Sequence, residues 1–98
     1  MSSWIKVLDQ APKGGTMVEI NVESKDLFVT MNDGLLYCAE NRCPHEDIML
    51  TLGCLKGGRV KCSLHGYSFD LKTGDSSEDD VDNMQTYAVK QENNEIYI

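Results

Sequence analysis

The sequence predicts an all-β domain, and three observations carry that prediction. Apolar residues recur mostly at every second position, as they do in strands with one covered face. Turn signals rich in Asn, Asp and Gly separate the runs at short intervals. No segment holds the i, i+3, i+4, i+7 spacing of an amphipathic helix over a helix's usual length.

Taken in order, residues 4–8 form a short apolar strand, and residues 16–22 alternate, with Val18, Ile20 and Val22 on one side. Lys13-Gly14-Gly15 between them is a turn signal. Residues 26–31 and 35–39 flank Asn32-Asp33-Gly34, a hairpin signature because Asn, Asp and Gly tolerate positive φ. Gly57-Gly58 reads as a hairpin turn before Val60. Val60, Cys62 and residues 67–71 make a further strand pair, and residues 86–90 and 95–98 flank Asn93-Asn94 as a final hairpin. Seven or more short strands result.

Ninety-eight residues make one domain, large enough for a modest core. No apolar run approaches the ~20 residues of a membrane span, and the N-terminus lacks the basic and apolar regions of a signal peptide, so a soluble cytoplasmic protein without membrane contact is expected. Sixteen acids against nine bases give a net charge of −7, which disfavours nucleic acid because no basic stripe meets phosphate. The acids concentrate in residues 75–82, either a solvated loop or a surface that steers basic partners.

The chemistry sits in two short motifs, Cys43-Pro44-His45 and Cys62-Ser63-Leu64-His65, with 16 residues between them. Each supplies one thiolate and one imidazole, the mixed set that a binuclear metal cluster can take from two loops. Sixteen residues suffice for an excursion and a return strand that bring the loops together. The competing reading is a structural zinc held by the same four residues, but zinc sites usually open with paired cysteines and close with paired histidines.

With Pro44 inside the first loop, Leu50 and Gly53 after it, and Gly66, Phe69, Thr73 and Gly74 after the second, residues 43–74 resemble the cluster-binding segment of a Rieske-type ferredoxin. The resemblance implies a Rieske fold: an antiparallel β base, residues 1–37 and 75–98, carrying a smaller cluster-binding insert, residues 38–74. It implies one 2Fe-2S cluster on Cys43, His45, Cys62 and His65, histidines toward solvent and cysteines inward. It also implies a monomeric one-electron carrier between an NAD(P)H-dependent flavin reductase and a terminal oxygenase, either a ring-hydroxylating dioxygenase or a di-iron monooxygenase. The stretch from Cys43 to Leu50 looks closer to the monooxygenase type. Gly53 and Gly66 are expected to allow conformations or approaches that a Cβ would obstruct.

Departures from the high-potential members of that family are informative. Their loop disulfide would need cysteines where this chain has Ile48 and Leu64, and the hydroxyl donors that raise their potential fall at Tyr67 and Phe69 here. Ser68 is a possible, differently directed donor. The resemblance therefore implies a potential near the low end of the Rieske range, about −150 mV. A third loop that carries proline in many members is replaced by the acidic stretch. Cys38 and Cys54 read as unpaired, buried small hydrophobes. Catalysis by the chain itself is not expected: the oxygenases that contain such a domain need a further mononuclear iron held by two histidines and a carboxylate, and both histidines here are committed.

Overall fold

The computed structural model describes residues 4–44, 48–63 and 66–98, and among them ten strands form three antiparallel sheets. Strand β3 (Lys25–Asn32) explains the architecture. Its residues Leu27, Phe28, Val29 and Thr30 are buried in succession, without the alternation of a half-exposed strand, because both faces of its sheet are covered. Leu27 and Val29 point into one core with Cys38 and Ile96. Phe28 points into the other with Ala39, Cys43, Leu50, Val60, Cys62, Phe69, Leu71, Val81 and Met84. Each large side chain buried there stabilises the fold by roughly 1.5–3 kcal/mol.

The central sheet runs β2 (Met17–Val22), β3, β4 (Leu35–Glu40) and β8 (Thr86–Tyr87). One face meets a terminal sheet of β1 (Lys6–Leu8), β10 (Glu95–Tyr97) and β9 (Lys90–Glu92), through Ile20, Val22 and Leu36. Ile5 and Ile98 exchange backbone hydrogen bonds of 2.8 and 2.9 Å, so the two chain ends close this sheet together. The other face meets an outer sheet of β5 (Cys54–Lys56), β6 (Arg59–Lys61) and β7 (Ser68–Asp70). Buried Thr30 satisfies its hydroxyl by donating to the Thr16 carbonyl at 2.6 Å.

The expected hairpins at Asp33-Gly34, Gly57-Gly58 and Asn93-Asn94 all form, each with positive φ at both turn residues. Glu23-Ser24 makes a fourth turn of the same kind, φ 52° and 68°, which neither residue type announces. Residues 86–90 depart from expectation. They are not one strand: β8 pairs with β4, β9 pairs with β10, and the chain changes sheets across Ala88 and Val89. A 3-10 turn at Leu50–Leu52 is also unforeseen, and β5 is the first arm that the Gly57-Gly58 turn requires. Trp4 stays outside both cores, 45% exposed, with the Lys90 ammonium 4.8 Å from its ring centroid.

Candidate metal centre

The first loop leaves the central sheet at Glu40, which is tied to the connection that precedes β8: its N–H donates to the Gln85 carbonyl at 2.9 Å, and its carboxylate accepts the Gln85 N–H at 2.6 Å. Two residues before Cys43, the buried Asn41 organises a polar clamp. Its amide donates to Glu19 on β2 at 3.1 Å, its carbonyl accepts the Thr51 N–H at 2.9 Å, and the Thr51 hydroxyl donates to the same Glu19 carboxylate at 2.8 Å. The clamp ties both ends of the loop to the base. The Cys43 N–H then closes the loop by donating to the Ile48 carbonyl at 2.8 Å. Beyond it, Gly53 is required by close packing, since a Cβ there would stand 1.8 Å from the Lys61 carbonyl oxygen, within the strand that feeds the second loop.

The second loop is set into the β6–β7 hairpin. The Cys62 N–H donates to the Tyr67 carbonyl at 2.7 Å, so each loop is closed from its cysteine to the residue five positions later. Gly66 has φ +71°, a left-handed conformation that favours glycine. Ser68 points away from the core: its hydroxyl accepts from the Arg59 guanidinium at 3.0 Å on the outer face, so it is not directed at the cysteines as a donor would be.

Cys43 and Cys62 are 1% and 2% exposed and belong to one core cluster, under Leu50, Val60, Phe69, Leu71, Val81 and Met84. Two of these come from the acidic stretch and its exit. Val81 and Met84 anchor that segment inward, while Glu78, Asp79, Asp80 and Asp82 are exposed. The segment is stitched to β7 through Ser77 N–H to the Ser68 carbonyl at 2.8 Å, and Ser68 N–H to the Ser77 hydroxyl at 3.1 Å. It thus covers the core that holds both cysteines. Phe69 is fully buried there and offers no hydroxyl.

His45 and His65, together with Glu46, Asp47 and Leu64, lie outside the described residues. The remaining cysteines are both free, and they part company. Cys38 is buried as expected, and burial pushes its thiol up to about 12. Cys54 is exposed, contrary to expectation, because on β5 it is Leu55 that turns inward, and period two sends Cys54 and Lys56 outward.

Two buried thiols in one apolar core, each opening a loop with a histidine two or three residues on, suit a mixed thiolate and imidazole centre. A match to the Rieske [2Fe-2S] domain extends over residues 3–90, both loops and the central and outer sheets included. The chain belongs to the Rieske [2Fe-2S] domain family.

Its relatives within that family are ferredoxins and larger proteins. The Rieske chain is 34% identical over 85 residues to the ferredoxin component of the naphthalene 1,2-dioxygenase system of Pseudomonas putida, covering 86% of this chain and 82% of that one. It is 29% identical over 87 residues to human apoptosis-inducing factor 3, of which it spans only 14%. The solved structure of a ferredoxin from Sphingomonas yanoikuyae B1 superimposes with a TM-score of 0.88 at 30% identity, over 98% of this chain and 97% of that one. That likeness places the Rieske fold on the whole β framework. No helix among the described residues is long and apolar enough to cross a membrane.

Proposed function

We propose that this Rieske domain is a one-electron carrier in which Cys43, His45, Cys62 and His65 hold a 2Fe-2S cluster, the cysteines on the inner iron and the histidines on the outer. The burial of Cys43 and Cys62 in one core beneath two identically closed loops is the observation that carries this reading. Such a cluster, when bound, takes up and releases one electron. The protein's part is to exclude water from the thiolates, through Phe69, Leu50, Val81 and Met84, and to fix the two loops against each other. Withholding hydroxyl donors at Phe69, and turning Ser68 outward onto Arg59, disfavours the reduced, more negative state and supports a low potential.

By likeness to a dioxygenase ferredoxin component, the electron comes from an NAD(P)H-dependent flavin reductase and goes to a terminal oxygenase. The same likeness favours a ring-hydroxylating dioxygenase over the di-iron monooxygenase that the stretch from Cys43 to Leu50 suggests. A monomer acting in the cytoplasm fits this role. The 98 residues serve as one domain, with a base and an insert. We begin the insert after Glu40 rather than at Cys38, a boundary supported by the pairing of Cys38 with Tyr87 and of Ala39 with Thr86 in the central sheet.

Iron and acid-labile sulfide analysis of the purified protein, followed by dithionite titration, tests the reading. A 2Fe-2S stoichiometry with a reversible one-electron bleach is expected. A colourless protein holding one zinc would overturn it.

A further inference from the structure

The outer sheet buries one face and leaves the other to water. Cross-strand register turns Leu55, Val60 and Phe69 inward and sets two rows outward, Cys54–Lys61–Ser68 and Lys56–Arg59–Asp70. Charge is unevenly spread over these rows. Lys56, Arg59 and Lys61 lie on β5 and β6, whereas Asp70 lies on β7 and the exposed acids Asp75, Glu78, Asp79 and Asp80 follow beyond its edge, where Ser76 bridges Phe69. The face is therefore positive at one side and negative at the other.

Arg59 is occupied within the molecule: it donates to the Ser68 hydroxyl at 3.0 Å and the Asp75 carbonyl at 2.9 Å, and lies 3.9 Å from Asp70. Lys56 and Lys61 are exposed, and among the described residues no carboxylate pairs with either. Lys61 immediately precedes the ligand Cys62. Its Cε lies 3.4 Å from where a Cβ on Gly66 would stand, and Gly66 immediately follows His65. Lys56, Arg59, Lys61, Gly66 and Ser68 together line a depression of about 230 Å³. A cationic patch thus borders the second loop of a chain whose net charge is −7.

From this placement we propose that the β5–β6 face is a docking surface for an acidic patch on a redox-partner protein, seated beside the second loop. The proposal rests on the electron-carrier reading above. The net charge of the chain repels an acidic surface overall, whereas this face attracts it, and complementary charge there sets both the encounter rate and the orientation of approach. Exposed lysines beside the second loop are the feature such an encounter uses.

The test uses the holoprotein and the Lys56→Glu/Lys61→Glu double variant. Both positions are exposed, so the visible spectrum and far-UV circular dichroism should be unchanged. The dithionite-reduced proteins, freed of excess reductant, are oxidised in a stopped-flow instrument by ferricyanide, which takes one electron and becomes ferrocyanide. Native protein should react more slowly as salt is added, despite its net charge. The double variant should react about tenfold more slowly at low salt and speed up with salt. Cationic hexaammineruthenium(III) should show the opposite preference. Poly-L-glutamate, standing in for an acidic protein surface, should bind the native protein by calorimetry and not the variant, a result readable whether or not the cluster is reducible. A native ferricyanide rate that rises with salt, or poly-L-glutamate binding that survives the double substitution, would overturn the proposal. So would concentration-dependent dimerisation abolished by the variant, which would assign the face to a second copy's acidic loop.

Discussion

The first loop, entered from β4 and left through the 3-10 turn, and the second, spanned by the β6–β7 hairpin, are closed by the same backbone bond, Cys43 to Ile48 at 2.8 Å and Cys62 to Tyr67 at 2.7 Å. What holds them in place differs. The second loop is flanked by paired strands, Lys61 opposite Ser68, and so inherits its position from ladder hydrogen bonds. The first has no partner strand on its exit side and relies on side chains instead: Asn41, Glu19 and Thr51 do there what the ladder does for its counterpart. Loop geometry can thus be fixed by backbone pairing or by a buried polar clamp. The two should fail differently.

The largest effect should come from a residue both loops share. Phe69→Ala opens a void beneath Cys43 and Cys62 together and should destabilise the fold by about 3–5 kcal/mol, read as a lower guanidinium midpoint with earlier bleaching of the visible bands. A loss below about 1 kcal/mol would mean the acidic segment, through Val81 and Met84, collapses into the void and seals the core unaided.

Next should come the clamp. Asn41→Ala leaves the Thr51 N–H without its acceptor and should cost about 1–3 kcal/mol, with faster iron loss to a chelator. Ser68→Ala, on the outer face of the second loop, should cost only about 0.5–1 kcal/mol because the ladder remains. Equal effects on chelation rate would dissolve the distinction between the loops.

The contrast also explains what the sequence disclosed. The two candidate Cys/His motifs stand out in the sequence, and the three hairpins were legible in it, because their information is local: Asp33-Gly34, Gly57-Gly58 and Asn93-Asn94 need positive φ and consist of residues that tolerate it. Glu23-Ser24 adopts the same turn from residues that carry no such signal, its register imposed by the pairing of β2 with β3. The clamp joins residues 22 and 32 positions apart, a link no local pattern contains. The sheet change at Ala88 and Val89 was hidden for a related reason: an extended backbone looks alike whichever sheet it joins. Cys54 misled because a cysteine's burial is decided by its strand's register, set here by Leu55.

The smallest effect concerns the turn after β7. Asp70 accepts the Thr73 and Lys72 N–H groups at 3.0 and 2.8 Å, and these bonds, with Arg59 nearby, hold its carboxyl below the usual carboxylate range. Because the folded value is depressed, its contribution to stability is complete above the unfolded value and fades as pH falls below about 4. Asp70→Asn should therefore lower stability slightly at neutral pH and converge with the native protein in acid. Denaturant midpoints measured from pH 7 to pH 3 would show it, and a constant gap across that range would remove Asp70 as the source.

The central claim is that each loop gives one thiolate and one imidazole to the same centre. Pulsed EPR on the dithionite-reduced protein addresses it directly. The account predicts a low average g value with nitrogen couplings from two histidine ligands, and loss of the cluster in both His45→Ala and His65→Ala. An intact cluster without nitrogen couplings, or one that survives either substitution, would contradict it.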